Sequence, residues 1–121
     1  MATQLERIHD RVVGVASGSG ANLDVTLFGA STTDKPWWIV VDFILQDSTT
    51  NANMSGQRIA AIVKGNGTTP VITSVNITAQ QTNGSIIGGF SIVASGTNIL
   101  ARWTNGGGIT ATLHVHAEIF K

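Results

Sequence analysis

Apolar and polar residues alternate along much of this chain, most plainly near its end. From Ile109 to Phe120, the residues Ile109, Ala111, Leu113, Val115, Ala117 and Ile119 occupy one set of alternate positions. Thr110, Thr112, His114, His116 and Glu118 occupy the other. A repeat of two predicts a strand, because a helix brings side chains back to one face only every third or fourth residue. Seven more segments rich in Val and Ile read the same way: Ile8–Ala16, Leu23–Phe28, Trp37–Gln46, Arg58–Lys64, Val71–Ala79, Ile86–Ala94 and Ile99–Thr104. Asn66-Gly67, Asn83-Gly84 and Asn105-Gly106 predict tight hairpins, since this dipeptide accepts positive φ angles, and Ser95–Asn98 predicts another short reversal. The longer connections are 29–36 and 47–57, and only Ala2–Ile8 suits a short helical arm. The expectation is an all-β chain, an antiparallel β-sandwich or jelly roll of about eight strands, with a closed barrel as the alternative. One domain spans 1–121, with 1–7 as an N-terminal arm.

The segment Trp37–Gln46 breaks the pattern of one wet and one dry face. Trp37, Ile39, Val41, Phe43 and Leu45 make one face, and Trp38, Val40, Asp42 and Ile44 make the other. A solvent-facing row of Trp38, Val40 and Ile44 is an apolar patch of the kind that marks a contact surface. Either a long loop or the N-terminal arm covers it, or these three residues form a subunit interface.

Charge sharpens that choice. Only 12% of residues are charged, about half the usual share, and seven basic residues cancel seven acidic ones. No basic stripe offers itself to nucleic acid or to an anionic membrane, and low net charge leaves self-association unopposed. Cysteine is absent, which removes disulfides, thiolate nucleophiles and cysteine-ligated metals and suits assembly in a cytoplasm. No apolar run follows the charged start Glu6, Arg7, His9 and Asp10, so no signal peptide is expected. The longest apolar stretch, 37–45, is interrupted by Asp42 and too short for membrane insertion, so the expectation is a soluble protein.

Candidate chemistry is sparse. Tyr is absent as well as Cys, and there is no G-x-S-x-G elbow and no complete phosphate-binding glycine loop. The acids are scattered, with no deducible pair. His114, His116 and Glu118 alternate along one strand, so two imidazoles and a carboxylate share a face, a donor set that suits zinc or iron. Either a metal ion sits at His114 and His116, or the histidines simply continue the polar face begun by Thr110 and Thr112. Copies of the pair meeting around a three-fold axis would be a third use of them. Among the tryptophans, Trp37 and Trp103 read as core, which leaves Trp38 as the candidate for stacking on a sugar. Four N-x-S/T sequons, at Asn53, Asn66, Asn76 and Asn83, follow from a composition rich in Asn, Ser and Thr.

The segment Val71–Lys121 contains the run TSVNITAQQTNGSIIGGFSIVASGTNILARWTNGGGITATLHVHAEIFK, apolar strands joined by minimal Gly, Asn, Ser and Thr turns. In that texture the chain resembles small virion proteins of tailed bacteriophages, both tail-fibre or receptor-binding heads and capsid decoration proteins. The resemblance implies a trimeric β-structured unit on a particle assembled in the host cytoplasm, with loops facing a host surface. It also implies that His114 and His116 lie near the axis, as His-x-His pairs do in some trimeric phage fibres. Three readings follow. The first is a non-enzymatic, self-associating virion protein whose partners are its own copies, other virion proteins or a host-surface glycan. The second is a carbohydrate-binding module using Trp38. The third is a small metal-dependent, cupin-like enzyme using His114, His116 and Glu118.

Overall fold

The alternating pattern is realised as strand. The structure, a computed structural model, describes residues 5–16, 20–29, 36–48, 52–65 and 69–120, with 5–16 described as backbone apart from Arg7. Among these residues there are nine strands and no helix: β1 (Leu5–Ala16), β2 (Asn22–Gly29), β3 (Trp37–Asp47), β4 (Met54–Lys64), β5 (Val71–Asn76), β6 (Gln81–Asn83), β7 (Gly88–Ser95), β8 (Asn98–Asn105) and β9 (Ala111–Phe120). Six of them form a large sheet in the order β1-β9-β3-β4-β5, with β6 also on β4; the small sheet has the order β2-β8-β7. Every pairing is antiparallel, and the two sheets pack as a sandwich.

One set of alternate residues on each strand fills the space between the sheets. On β3, Ile39, Val41, Phe43 and Leu45 stand opposite Ile119, Ala117, Val115 and Leu113 of β9, and Ile59, Ala61 and Val63 continue the layer on β4. The small sheet contributes Leu23, Val25 and Leu27 from β2, Ile92 from β7, and Ile99, Ala101 and Trp103 from β8. All are buried, and each fully buried Leu, Ile or Val side chain stabilises the fold by about 1.5–3 kcal/mol. Ring pairs join the sheets in two places. Phe43 meets Phe90 at 5.1 Å, and Trp37 meets Phe28 at 5.2 Å, both tilted. Trp37 and Trp103 thus both pack inward, as their positions predict.

The outward side of the small sheet carries one internal ion pair. Asp24 and Arg102 are directly opposite in the β2–β8 register, and the guanidinium donates twice to the carboxylate, at 2.8 and 3.0 Å. The hydrogen bond to Asp24 pushes the Arg102 guanidinium above its ordinary value, against some loss of hydration. A group raised in the folded state contributes fully below its unfolded value and loses that contribution only as pH climbs through the folded one. Stability is therefore expected to show no step from this pair between neutral and mildly alkaline pH. Asp24→Asn is expected to lower stability by about 0.5–1 kcal/mol in urea unfolding, the range of a partly solvated pair.

Several boundaries differ from the sequence expectation, each for a local reason. Val71–Ala79 is not one strand. At Thr78 the chain leaves the ladder, because Thr78 Oγ1 accepts the Arg58 N–H while the N–H groups of Ile77 and Thr78 both donate to Arg58 O. A side-chain hydroxyl has replaced a backbone carbonyl, and the edge bulges before resuming as β6. β4 starts at Met54 rather than Arg58, inside the expected loop, where Gly56 lets it lie close to β3: a Cβ there would come within 3.2 Å of Phe43 O. From Leu5 onward the proposed helical arm is strand, paired to β9 with Leu5 opposite Phe120, while 2–4 lie outside the described residues. Asn83-Gly84 and Asn105-Gly106 do not close hairpins within a sheet. They begin the crossings from β6 to β7 and from β8 to β9, which change sheets. Asn66-Gly67 lies outside the described residues, and Ser95–Asn98 does close a hairpin, with Gly96 at φ +57°.

Candidate functional site

Strand alternation sends the second set of residues to the outward side of the large sheet, and there both sequence candidates meet. The β9–β3–β4 register runs in rows: Phe120, Trp38 and Ile62; Glu118, Val40 and Ala60; His116, Asp42 and Arg58; His114, Ile44 and Gly56; Thr112, Gln46 and Met54. The edge extends these rows with Thr73, Val75, Gln81 and Asn83. Trp38, Val40 and Ile44, predicted as an interface, and His114 and His116, predicted as metal ligands, are therefore neighbours on adjacent strands of one face.

This face is apolar well beyond the three residues singled out from the sequence. Trp38 is 42% exposed, Ile62 44%, Ile44 48%, Val75 54% and Met54 56%, values that leave several large side chains half in water on one side of one sheet. Val40 is half-buried between them. The signal for the wider patch lay in RIAAIVK, residues 58–64, where Ala60 and Ile62 put apolar residues on the second face of β4 between Arg58 and Lys64.

One row of the face carries a neutralised charge pair. Arg58 donates to both Asp42 carboxylate oxygens, at 2.7 and 2.9 Å, from directly opposite on the neighbouring strand. The hydrogen bond to Asp42, the Asp42 charge and a smaller contribution from Glu118 push the Arg58 guanidinium above its ordinary value. The pair is open to water and adds little stability as it stands. Its geometry matters more for what happens when water leaves, because a bidentate pair carries its own counter-charge into a covered surface. Around it a shallow depression of about 520 Å³ is lined by Arg7, Val40, Asp42, Arg58, His116, Ala117 and Glu118. It runs on past Gly56, the position without a side chain, to a hollow lined by Ile44, Met54, Ser55, Gln81, Thr82 and Asn83.

Other chemistry finds less here. Among the described residues, no group of three His, Asp or Glu side chains stands close enough to hold a metal ion. In the rows, Glu118 is two strand repeats from His114, with Val40 and Arg7 as its cross-strand partners. Among the described residues no helix is long and apolar enough to cross a membrane.

No family model matches the chain, and no curated protein matches its sequence. Among solved structures it is similar to the tailspike protein of Acinetobacter baumannii phage AM24, at 12% identity and a TM-score of 0.48, covering 98% of this chain and 25% of that one. It is also similar to tailspike protein gp49 of Acinetobacter baumannii bacteriophage Fri1, a capsular polysaccharide depolymerase, at 13% identity and a TM-score of 0.47, covering 97% of this chain and 19% of that one. The chain spans a quarter or less of the length of these two proteins.

Proposed function

We infer that this chain is a non-enzymatic structural or adhesion protein of a phage virion, and that it self-associates through the outward face of its large sheet. The observation that carries the reading is the set of half-exposed Trp38, Ile44, Met54 and Ile62 on that face. Contiguous apolar patches of this kind on a folded domain mark interaction sites. A second copy of the chain is the occupant that fits. Arg7 and Arg58 face Asp42 and Glu118 around one depression, so a copy offers both signs of charge in return, and the whole chain has a net charge of zero. The virion assignment and the trimeric state come from the strand texture. In such a trimer His114 and His116, half-buried on the same face, lie at or beside the contact.

Light scattering on a sizing column tests this directly. A trimer is the expected result, and a monomer at high protein concentration would overturn the reading. Ile44→Glu and Trp38→Glu are each expected to convert the assembly to monomer. Strand content should not change, since exposed substitutions shift stability by only about 0.5 kcal/mol. An assembly that survives both substitutions would place the contact elsewhere.

A second reading has one observation in its favour. Trp38 presents an indole to solvent beside Phe120 and Ile62, a surface on which a sugar ring can stack. A carbohydrate-binding module would show glycan binding that Trp38→Ala abolishes.

A further inference from the structure

Two Asn-Gly pairs among the described residues open the crossings between sheets, and the fold treats their side-chain amides in opposite ways. Asn105 is fully buried and held at both ends. Its Oδ1 accepts the N–H groups of Gly107, Gly108 and Ile109, at 3.2, 2.8 and 3.3 Å, and its Nδ2 donates to Ile109 O at 2.7 Å. The backbone nitrogen after it, that of Gly106, donates to Ile87 O at 2.9 Å. Asn83 is exposed at the end of β6 and, among the described residues, held at one end only, by Nδ2 donating to Ala52 O at 2.6 Å. Among the described residues the Gly84 N–H has no hydrogen-bond partner, and Gly84 sits at φ +89° with the Asn53 side chain packed against its Cα.

We propose that Asn83 is a modification site, at which the folded protein converts spontaneously to aspartate and isoaspartate, while Asn105 is protected. A base removes the Gly84 amide proton, and the nitrogen forms a bond to the Asn83 side-chain carbonyl carbon. The Cγ–Nδ2 bond breaks, and the amide leaves as ammonia after taking up a proton from solvent. Water then opens the five-membered succinimide at either carbonyl. Hydrolysis at the side-chain carbonyl leaves aspartate, and hydrolysis at the backbone carbonyl leaves isoaspartate. No oxidant, metal or second substrate enters. At Asn105 the same chemistry needs the amide carbon to swing onto a nitrogen already bound to Ile87 O, which breaks four side-chain hydrogen bonds in a buried turn. It therefore waits on local unfolding.

The consequence falls on the outward face. Asn83 is opposite Met54 and borders the hollow lined by Ile44 and Gly56, so conversion places a new carboxylate on the rim of the apolar surface. That effect on assembly rests on the interface reading; the modification does not.

The test is to age the native protein in warm, mildly alkaline buffer and quantify the acid products at each position by fragmentation mass spectrometry. A parallel sample is aged in urea. In the native sample Asn83 is expected to convert faster than Asn105 by roughly tenfold or more, the ratio set by the cost of opening the buried turn. In urea the two rates should draw level, because both are Asn-Gly pairs. Equal native rates, faster conversion at Asn105, or conversion at Asn83 only in urea would each overturn the proposal. The molar mass of aged protein, compared with aged Asn83→Gln, reads the effect on assembly separately. A monomeric starting protein would sink the interface reading and leave the modification result intact.

Discussion

Trp103→Ala is expected to destabilise the fold by about 3–5 kcal/mol, the range for removing a buried aromatic, and so to consume a large part of the roughly 5–15 kcal/mol that holds a domain together. Trp103 is the largest fully buried side chain, on the central strand of the small sheet, with β2 and β7 pairing on either side. Its indole lies beneath Gly88 of β7, where an added Cβ would collide with Trp103 Nε1 and with Thr104 O. The glycine has therefore given its volume to the indole, and no side chain above can collapse into the space that alanine would leave. Urea unfolding reads the effect as a lower midpoint at unchanged slope. Trp103→Phe provides the contrast. Nε1 is buried with no hydrogen-bond partner among the described residues, so phenylalanine removes an unsatisfied donor along with part of the ring. Its cost is expected to stay below about 1.5 kcal/mol. A loss for Trp103→Phe as large as that for alanine would mean that the N–H has a partner, and that this account of the site is wrong.

The strands that were legible in the sequence are those whose two faces differ. Leu113, Val115, Ala117 and Ile119 alternate with His114, His116 and Glu118, and the fold buries the first set and turns the second outward. Trp103 could be assigned to the core from its phase with Ile99 and Ala101. What alternation does not encode is which strands share a sheet. Asn105-Gly106 reads as a hairpin because its φ preferences suit one, yet the turn carries the chain to the other sheet, and the difference lies in a buried amide that no local pattern shows. The break at Thr78 was hidden for a similar reason: one hydroxyl bonds to one backbone N–H, within a segment that is otherwise good strand sequence.

The candidate face was half legible. Trp38, Val40 and Ile44 could be singled out because β3 is apolar on both sides, and a residue's side of a strand follows from parity alone. Their relation to His114 and His116 could not. It depends on β9 inserting between β1 and β3, a pairing between segments some seventy residues apart in the chain. Arg58 against Asp42 is the same kind of fact. The two lie on different strands of the sequence, and only the register makes them a neutral pair within a largely apolar surface. That pairing is what lets one face be both charged and fit for burial. An unpaired Asp42 would make covering it costly, whereas the paired row adds direction to a contact driven by Trp38, Ile44 and Ile62.

Asn105→Ala is expected to cost about 2–3 kcal/mol, more than a typical polar substitution, because one side chain organises the whole turn between the sheets. Its Oδ1 gathers three successive backbone N–H groups, from Gly107 to Ile109, and its Nδ2 satisfies the Ile109 carbonyl. The backbone of Asn105 is engaged as well, with its N–H donating to Ala21 O and its carbonyl accepting from Gly20. The residue thus ties the start of β2, the end of β8 and the approach to β9 into one corner. Alanine keeps the backbone bonds and removes the other four. Gly107 and Gly108 are exposed and can turn to water, but the half-buried Ile109 cannot do so fully, which sets the estimate above the cost of one ordinary hydrogen bond. Asn105→Asp separates the two halves of the role. A carboxylate still accepts the three N–H bonds, but places a buried charge against the Ile109 carbonyl where a donor stood, so it should also destabilise, and more strongly at neutral pH than in mild acid. Urea midpoints for the two variants at both pH values provide the check. If Asn105→Asp matched the wild type at neutral pH, the donor bond to Ile109 O would carry no weight, and the turn would rest on the accepted bonds alone.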